Sequence, residues 1–264
     1  MLFRSTGLSL QQIVAVGRDS LPVMAGTVVV ALAGGALLGR LLGIDRDTTT
    51  LISVGTGICG ASAIAAAAAV IKPKRETIAY AVGTIFTFNI AAVLIFPPLG
   101  HLLLLGPESF GLWSGTAVND TSSVVAAAYA YDPAAGPHAV VVKLARSLMI
   151  IPIVLILTAL RTRSARSAGS SGGGVSPLRL VPPFLIGFLI AAGLESLGLI
   201  PAAWHSALSE LGLFLITAAL TGIGLSLRPA DLRRAGPRPL LLGGMLWLAV
   251  AGASLGLQAI TGTL

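Results

Sequence analysis

Charged residues are scarce in this chain. Asp, Glu, Lys and Arg make up 10% of its 264 residues, whereas a soluble domain carries about 25%. Hydrophobic residues make up 55%, and the mean hydropathy is +0.92. So few charges cannot cover a water-facing surface. The composition therefore excludes a soluble protein and predicts an all-α, polytopic membrane protein, with a lipid bilayer as its surroundings.

Cysteine and metal-binding patterns are scarce as well. Cys59 is the single cysteine, which excludes an intrachain disulfide and a multi-cysteine metal site. The sequence lacks H-E-x-x-H, and Cys59 has no histidine near it in sequence to act as a base. We therefore expect no enzyme activity, no metal and no cofactor. The net charge of +7 is spread through short loops without aromatic residues, so we expect no nucleic-acid partner.

Apolar windows of bilayer-spanning length occupy most of the chain. The eight windows, named A to H in chain order, are Leu21–Gly39, Leu51–Ile71, Thr77–Phe96, Phe110–Tyr131, Ala139–Leu160, Leu180–Ile200, Leu208–Leu227 and Leu240–Ile260. A stretch rich in Ser, Gly and Arg, residues 161–177, predicts a flexible, solvated linker. It divides the chain into a first membrane part, 1–160, and a C-terminal part of three spans, 178–264.

The distribution of Lys and Arg predicts the orientation if all eight windows cross the membrane. One side then holds ten basic residues: Arg40, Arg46, Arg161, Arg163, Arg166, Arg179, Arg228, Arg233, Arg234 and Arg238. The other side holds Arg4, Arg18, Lys72, Lys74 and Arg75. The positive-inside rule makes the first side, with the linker, cytoplasmic. An external N-terminus without a signal peptide suggests that an odd number of spans precedes Met1.

Two segments of the chain resemble each other at an offset of 60 residues. Gly55 to Ala68 reads GTGICGASAIAAAA, and Gly115 to Ala128 reads GTAVNDTSSVVAAA. A second repeat is the sequence GLSL, which occurs at Gly7–Leu10 and again at Gly224–Leu227. The two copies would face opposite sides of the membrane. Internal repeats, including inverted ones, are a recurring feature of secondary transporters.

The first of these segments contains a glycine pattern. Gly55, Gly57 and Gly60 spell G-x-G-x-x-G, but the motif lies in a bilayer-length apolar run and not in a βαβ unit, which excludes dinucleotide binding. With Thr56 and Ser62, the glycines favour a helix broken in mid-membrane, whose freed amides could bind an anion. Close helix packing through small residues is the alternative.

The second segment, in window D, is unusually polar. Its candidate site residues are Thr116, Asn119, Asp120, Thr121, Ser122 and Ser123. An ionisable residue at membrane depth indicates function by default, so we expect Asp120 to line a cavity or to pair with a cation. The alternative is a surface loop between two shorter elements.

Window E contributes two cations, Lys143 and Arg146, which lie three residues apart and hence on one helix face. Lys143 is close enough to the start of the window to extend to the interface, whereas Arg146 lies deeper. The guanidinium of Arg146 suits an oxyanion, and an ion pair with Asp120 is the alternative. Asn89 in window C could line the same cavity or bond a neighbouring helix.

These segments closely resemble the YeiH-type bacterial membrane proteins, whose members are named as sulfate exporters. The resemblance rests on GTGICGASAIAAAAAVIKPKRETIAYAVGTIFTFNIAAVLIFPPLGHLL, FGLWSGTAVNDTSSVVAAAYAYDP and VVKLARSLMIIPIVL, and extends from Gly7 to the C-terminus. It implies an inner-membrane secondary transporter, distantly similar to sodium/proton antiporter and bile-acid transporter folds, with further spans before Gly7. Many relatives have His where this sequence has Asn119, which puts proton coupling in doubt here.

Together these observations predict a secondary transporter of sulfate or a related small sulfur oxyanion, with that inorganic anion as its partner. A cation/proton antiporter using Asp120 and a non-transporting membrane scaffold are the alternatives. The coupling ion, proton or sodium, is left open, and so is a homodimer.

Overall fold

The computed structural model describes residues 10–167 and 237–264 together with positions 201, 204, 207, 210, 211 and 214. In the two continuous ranges every regular element is a helix, which confirms the all-α fold. The helices are α1 Leu10–Leu41, α2 Arg46–Gly57, α3 Ala61–Ile71, α4 Arg75–Leu102, α5 Pro107–Ala117, α6 Thr121–Tyr131, α7 Ala135–Ser147, α8 Ile150–Ser167 and α9 Arg238–Thr261.

Four helical segments in these ranges are long and apolar enough to cross a membrane. They are Val16–Leu41, Arg75–Leu102, Ala135–Arg161 and Arg238–Thr261, which contain most of windows A, C, E and H. Contacts between their ends show how they are arranged. The salt bridge between Arg161 and Asp47, 3.0 Å long, joins the later part of α8 to the start of α2. Ser109 donates a hydrogen bond of 3.0 Å to the carbonyl of Thr263, which joins the start of α5 to the end of the chain.

Helices α5 and α6 form a re-entrant hairpin. The hydroxyl of Tyr131, the last residue of α6, donates to the carbonyl of Leu105, just before α5. The ring of Tyr131 also stacks on Phe110 in the first turn of α5, with centroids 3.8 Å apart. The chain therefore enters along α5, turns, and returns along α6 to the end from which it came.

Helices α2 and α3 form a second hairpin, which enters from the opposite end. Asp47 at the start of α2 is bonded to Arg161, and α3 packs along the same helix, α8, to which Arg161 belongs. The chain then turns at Lys72, which has a positive φ of 50°, and begins the long helix α4 at Arg75.

The expectation that windows B and D cross the membrane is therefore wrong. Each window contains two helices, and α3, α5 and α6 have 11 residues each. At 1.5 Å per residue such a helix is about 16 Å long, roughly half of the hydrocarbon core. A hairpin of two such helices reaches mid-depth and returns.

This arrangement changes the distribution of charge between the two ends. Lys72, Lys74 and Arg75, predicted on the side opposite Arg46, lie instead at the same end as Arg46, because the hairpin returns them there. We call this the basic end. The other described basic residues near it are Arg40, Arg161 and Arg238. Arg18 in α1 is the one Lys or Arg near the opposite end among the described side chains.

Several sequence expectations fall on parts of the chain outside the described residues. Window F, most of window G, the GLSL copy at Gly224–Leu227 and residues 168–177 of the predicted linker are among them. The beginning of that linker, up to Ser167, continues α8 as helix.

Candidate functional site

The tips of the two hairpins meet in the middle of the molecule. Gly60 lies at the turn between α2 and α3 with φ +66° and ψ −122°, a conformation that residues with a Cβ rarely adopt. A Cβ on Gly60 would lie 3.5 Å from the Cβ of Asn119, at the turn of the other hairpin. The turns of the two hairpins therefore pack directly against each other at Gly60 and Asn119.

The two hairpins repeat each other at the offset of 60 residues seen in the sequence. Helix α3 covers 61–71 and α6 covers 121–131. The first helix of each hairpin ends with an equivalent bond: Ile58 donates to Val54, and Val118 donates to Ser114. Because the hairpins enter from opposite ends, the repeat is inverted, as in many secondary transporters.

Lys143 links the two turns. Its ammonium group donates one hydrogen bond to the carbonyl of Ile58 and one to the carbonyl of Val118, each 2.9 Å long. These two carbonyls are equivalent in the repeat, so Lys143 lies at the centre of the inverted pair. The side chain is fully buried. It therefore stabilises the C-terminal ends of α2 and α5, where partial negative charge accumulates.

Arg146 stabilises one hairpin only. Its Nε donates to the carbonyl of Gly57 at 2.9 Å, and its Nη2 donates to the carbonyl of Thr56 at 3.3 Å. The guanidinium is fully buried, and its Nη1 has no described partner. The expected ion pair with Asp120 does not occur among the described side chains. The guanidinium donates its hydrogen bonds to the carbonyls at the end of α2 instead.

Asn89 of α4 completes the support of the second turn. Its Oδ1 accepts a hydrogen bond of 3.0 Å from the backbone amide of Asn119. Both side chains are 1% exposed. Asn89 therefore bonds a neighbouring turn, which was one of the two roles expected for it.

The helices that start at the two turns differ in their caps. The carboxylate of Asp120 caps α6, accepting hydrogen bonds from the amide and the hydroxyl of Ser123 at 3.1 and 3.3 Å. Gly60 occupies the equivalent position before α3 and has no capping side chain. The first turn of α3 thus lacks the carboxylate cap that Asp120 gives to α6, and the amide of Ala63 lies beside the thiol of Cys59.

The first turns of these two helices also carry exposed hydroxyl groups. Ser62 in α3 and Ser122 in α6 are equivalent in the repeat, and both are exposed, as is Thr121. By contrast Gly55, Thr56, Gly57 and Thr116 are buried. The predicted site residues therefore separate into buried residues that form the turns and exposed hydroxyl groups in the first turn of α3 and in the first turn of α6.

Two polar residues that were not predicted from the sequence lie near Thr116. Ser254 of α9 lies 2.6 Å from the hydroxyl of Thr116, and Gln258 donates to Ser254 at 3.3 Å. Both are fully buried. Their spacing of four residues inside an apolar span was the available signal, since it places two polar side chains on one helix face.

Comparisons with known proteins give the family. Residues 3–243 match the family model described as Conserved hypothetical protein 698. A protein of Streptococcus pneumoniae serotype 4, named UPF0324 membrane protein, is 40% identical over 97% of this chain and 77% of its own length. The chain belongs to the UPF0324 family of membrane proteins.

Other UPF0324 proteins show the same degree of similarity. The Clostridium tetani protein is 38% identical, again over 97% of this chain and 77% of its own length. A Streptococcus agalactiae member is 40% identical over 97% of this chain and 78% of its own length. No solved structure matches the chain.

Proposed function

We propose that this UPF0324 protein is a secondary transporter, not an enzyme, that moves a small inorganic oxyanion, sulfate or a related sulfur oxyanion, across the bacterial inner membrane. The observation that carries the proposal is the meeting of two oppositely directed hairpins at mid-depth. Non-helical backbone at this depth is tolerated only where it is buried in protein or lines a water-filled cavity. Interrupted helices from inverted repeats form the substrate sites of several transporter folds.

The balance of charge at the turns favours an anion. Lys143 and Arg146 are fully buried, and the one ion pair among the described side chains is the surface pair Arg161–Asp47. Asp120 is the single carboxylate at the turns, so two cations face one anion there. A buried charge without a partner is unfavourable, and an incoming anion relieves that cost.

The proposed ligand groups lie at the N-terminal ends of α3 and α6. The amides of Ala61 and Ser62 would donate to the oxyanion, together with the exposed hydroxyls of Ser62, Thr121 and Ser122. Lys143 and Arg146 would supply positive charge: Lys143 already donates to two carbonyls, and Arg146 donates through Nε and Nη2, while its Nη1 has no described partner.

The charge at the two ends supports an orientation. Seven described basic residues lie at the basic end and Arg18 near the other, so the positive-inside rule makes the basic end cytoplasmic. Under this proposal, the hairpin α2–α3 enters from the cytoplasm and α5–α6 from the outside. The resemblance to YeiH-type proteins supports sulfate or sulfite as the substrate.

A substitution that adds negative charge without harming the fold tests the proposal. Ser62→Asp places a carboxylate in the first turn of α3, where it complements the helix dipole but repels an oxyanion. We expect radiolabelled sulfate counterflow in proteoliposomes to fall about tenfold or more, equivalent to roughly 1.4 kcal/mol. The matched control is Ser62→Asn, which has nearly the same size and no charge, and which should retain most of the rate.

Other outcomes would favour the alternatives. Counterflow equal in the Asp and Asn variants would argue against an anion at α3. Exchange driven by a sodium or proton gradient without any anion, and lost in Asp120→Asn, would indicate a cation antiporter. No transport of any ion by folded protein would support a membrane scaffold.

A further inference from the structure

The two halves of the inverted repeat differ in how the ends of their first helices are stabilised. At the end of α2, the carbonyls of Thr56 and Gly57 accept hydrogen bonds from Arg146. The carbonyl of Gly55, one residue earlier, accepts from the amide of Gly60 at 3.0 Å. All three final carbonyls of α2 therefore have donors.

The equivalent carbonyls at the end of α5 have none among the described residues. The residues are Gly115, Thr116 and Ala117, and no described backbone or side-chain donor reaches their oxygens. Lys143 bonds only the next carbonyl, that of Val118. Buried carbonyls at a helix end are unfavourable without a partner, and these three residues are buried.

A second observation at the same turn points to a ligand. The Oδ1 of Asn119 has no partner among the described residues although its side chain is 1% exposed. Its equivalent in the other hairpin is the buried thiol of Cys59, which has Lys143, Arg146, Ser147 and the amide of Ala63 beside it. The side chain at this position of the first hairpin therefore has donors around it, whereas Oδ1 of Asn119 has none among the described residues.

We propose that a small monovalent cation, such as Na⁺, binds at the end of α5, ligated by the carbonyl oxygens of Thr116 and Ala117 and by Oδ1 of Asn119. It occupies the position that the guanidinium of Arg146 occupies at the end of α2. In the proposed transporter this ion would be the coupling ion. Only that coupling role rests on the proposed function; binding of the ion does not.

The ligand set favours a monovalent over a divalent ion. The three oxygens are neutral, and Lys143 bonds the adjacent carbonyl of Val118. Repulsion from its ammonium group is twice as large for a divalent ion as for a monovalent one. Ca²⁺ sites usually contain several carboxylates, whereas Asp120 is the one carboxylate at these turns. Carbonyls at the ends of interrupted helices are known ligands for transported Na⁺.

A titration of the purified full chain in detergent tests the site without any transport. Thermal unfolding is followed while NaCl replaces choline chloride at constant chloride and ionic strength. We expect a saturable rise in Tm, because a ligand that binds only the folded state stabilises it. Asn119→Ala should raise the half-saturating Na⁺ concentration at least tenfold. The matched control, Cys59→Ala, removes the equivalent side chain of the other hairpin and should leave that concentration unchanged.

The outcomes separate this inference from the proposed function. A wild-type Tm that is the same in sodium, lithium, potassium and choline chloride would overturn the cation site, whatever the protein transports. If Asn119→Ala does not fold, Asn119→Asp replaces it, and this variant should bind Na⁺ more tightly because it adds a charged ligand. Saturable Na⁺ binding in a protein without sulfate counterflow would keep the site and refute the sulfate proposal.

Discussion

Replacement of Gly60 by alanine is the most direct test of the turn on which the site depends. Gly60 has φ +66° and ψ −122°, and a non-glycine residue forced into such a region costs about 1–3 kcal/mol. The new Cβ would also lie 3.3 Å from Cγ2 of Ile85 and 3.5 Å from Cβ of Asn119. The contact with Ile85 is tight, whereas the contact with Asn119 has an ordinary van der Waals length, so backbone strain accounts for most of the cost. We expect Gly60→Ala to cost about 1–3 kcal/mol.

The matched control for Gly60→Ala is Gly256→Ala in α9, where a Cβ meets nothing within 4 Å. Alanine in a helix interior is favoured over glycine by about 0.5–1 kcal/mol, so this variant should be as stable as the wild type or slightly more so. The assay is reversible chemical unfolding in mixed micelles. Equal unfolding free energies for Gly60→Ala and the wild type would refute the positive-φ turn at Gly60.

Three further predictions concern topology, packing and charge. In a Cys59→Ala background, cysteines at Lys74 and Asp45 should react with an impermeant maleimide from the same side of the membrane; labelling from opposite sides would contradict the α2–α3 hairpin. Gly111→Ala should lower the unfolding free energy by about 1–3 kcal/mol, because its Cβ would lie 3.0 Å from the carbonyl of Ala135; an unchanged denaturation midpoint would contradict that packing. Arg146→Lys should lower the Tm in detergent, because an ammonium group lacks the planar fork that bonds two carbonyls, and a wild-type Tm would argue against those bonds.

The breaks in the helices could be predicted from the sequence almost residue by residue. The offset of 60 residues aligned Gly60 with Asp120, and the structure begins α3 and α6 one residue after each. This succeeded because the signal is local. Glycine, Asp, Ser and Thr interrupt or cap helices through their own backbone and side-chain chemistry, whatever their tertiary surroundings.

The partners of the buried cations could not be predicted in this way. The sequence places Lys143 and Arg146 on one helix face, but the carbonyls they bond belong to residues whose side chains carry no signal, such as Ile58 and Val118. Backbone oxygens are present at every position. Only the folded arrangement shows which of them lack an intrahelical donor and therefore attract a cation.

The fact that each hairpin returns to the end from which it came could not be predicted from hydropathy, because of the length of its two helices. Two helices of about 11 residues with a short turn contain as many apolar residues as one span of about 20, so hydropathy cannot distinguish a return from a crossing. The distribution of charge does contain the missing information. If windows B and D both return, Lys72, Lys74 and Arg75 join the basic side, and only Arg4 and Arg18 remain opposite. The positive-inside rule is then satisfied far better than with eight crossings. Two similar polar segments can therefore indicate inverted re-entrant hairpins when treating both as returning makes the distribution of Lys and Arg more one-sided.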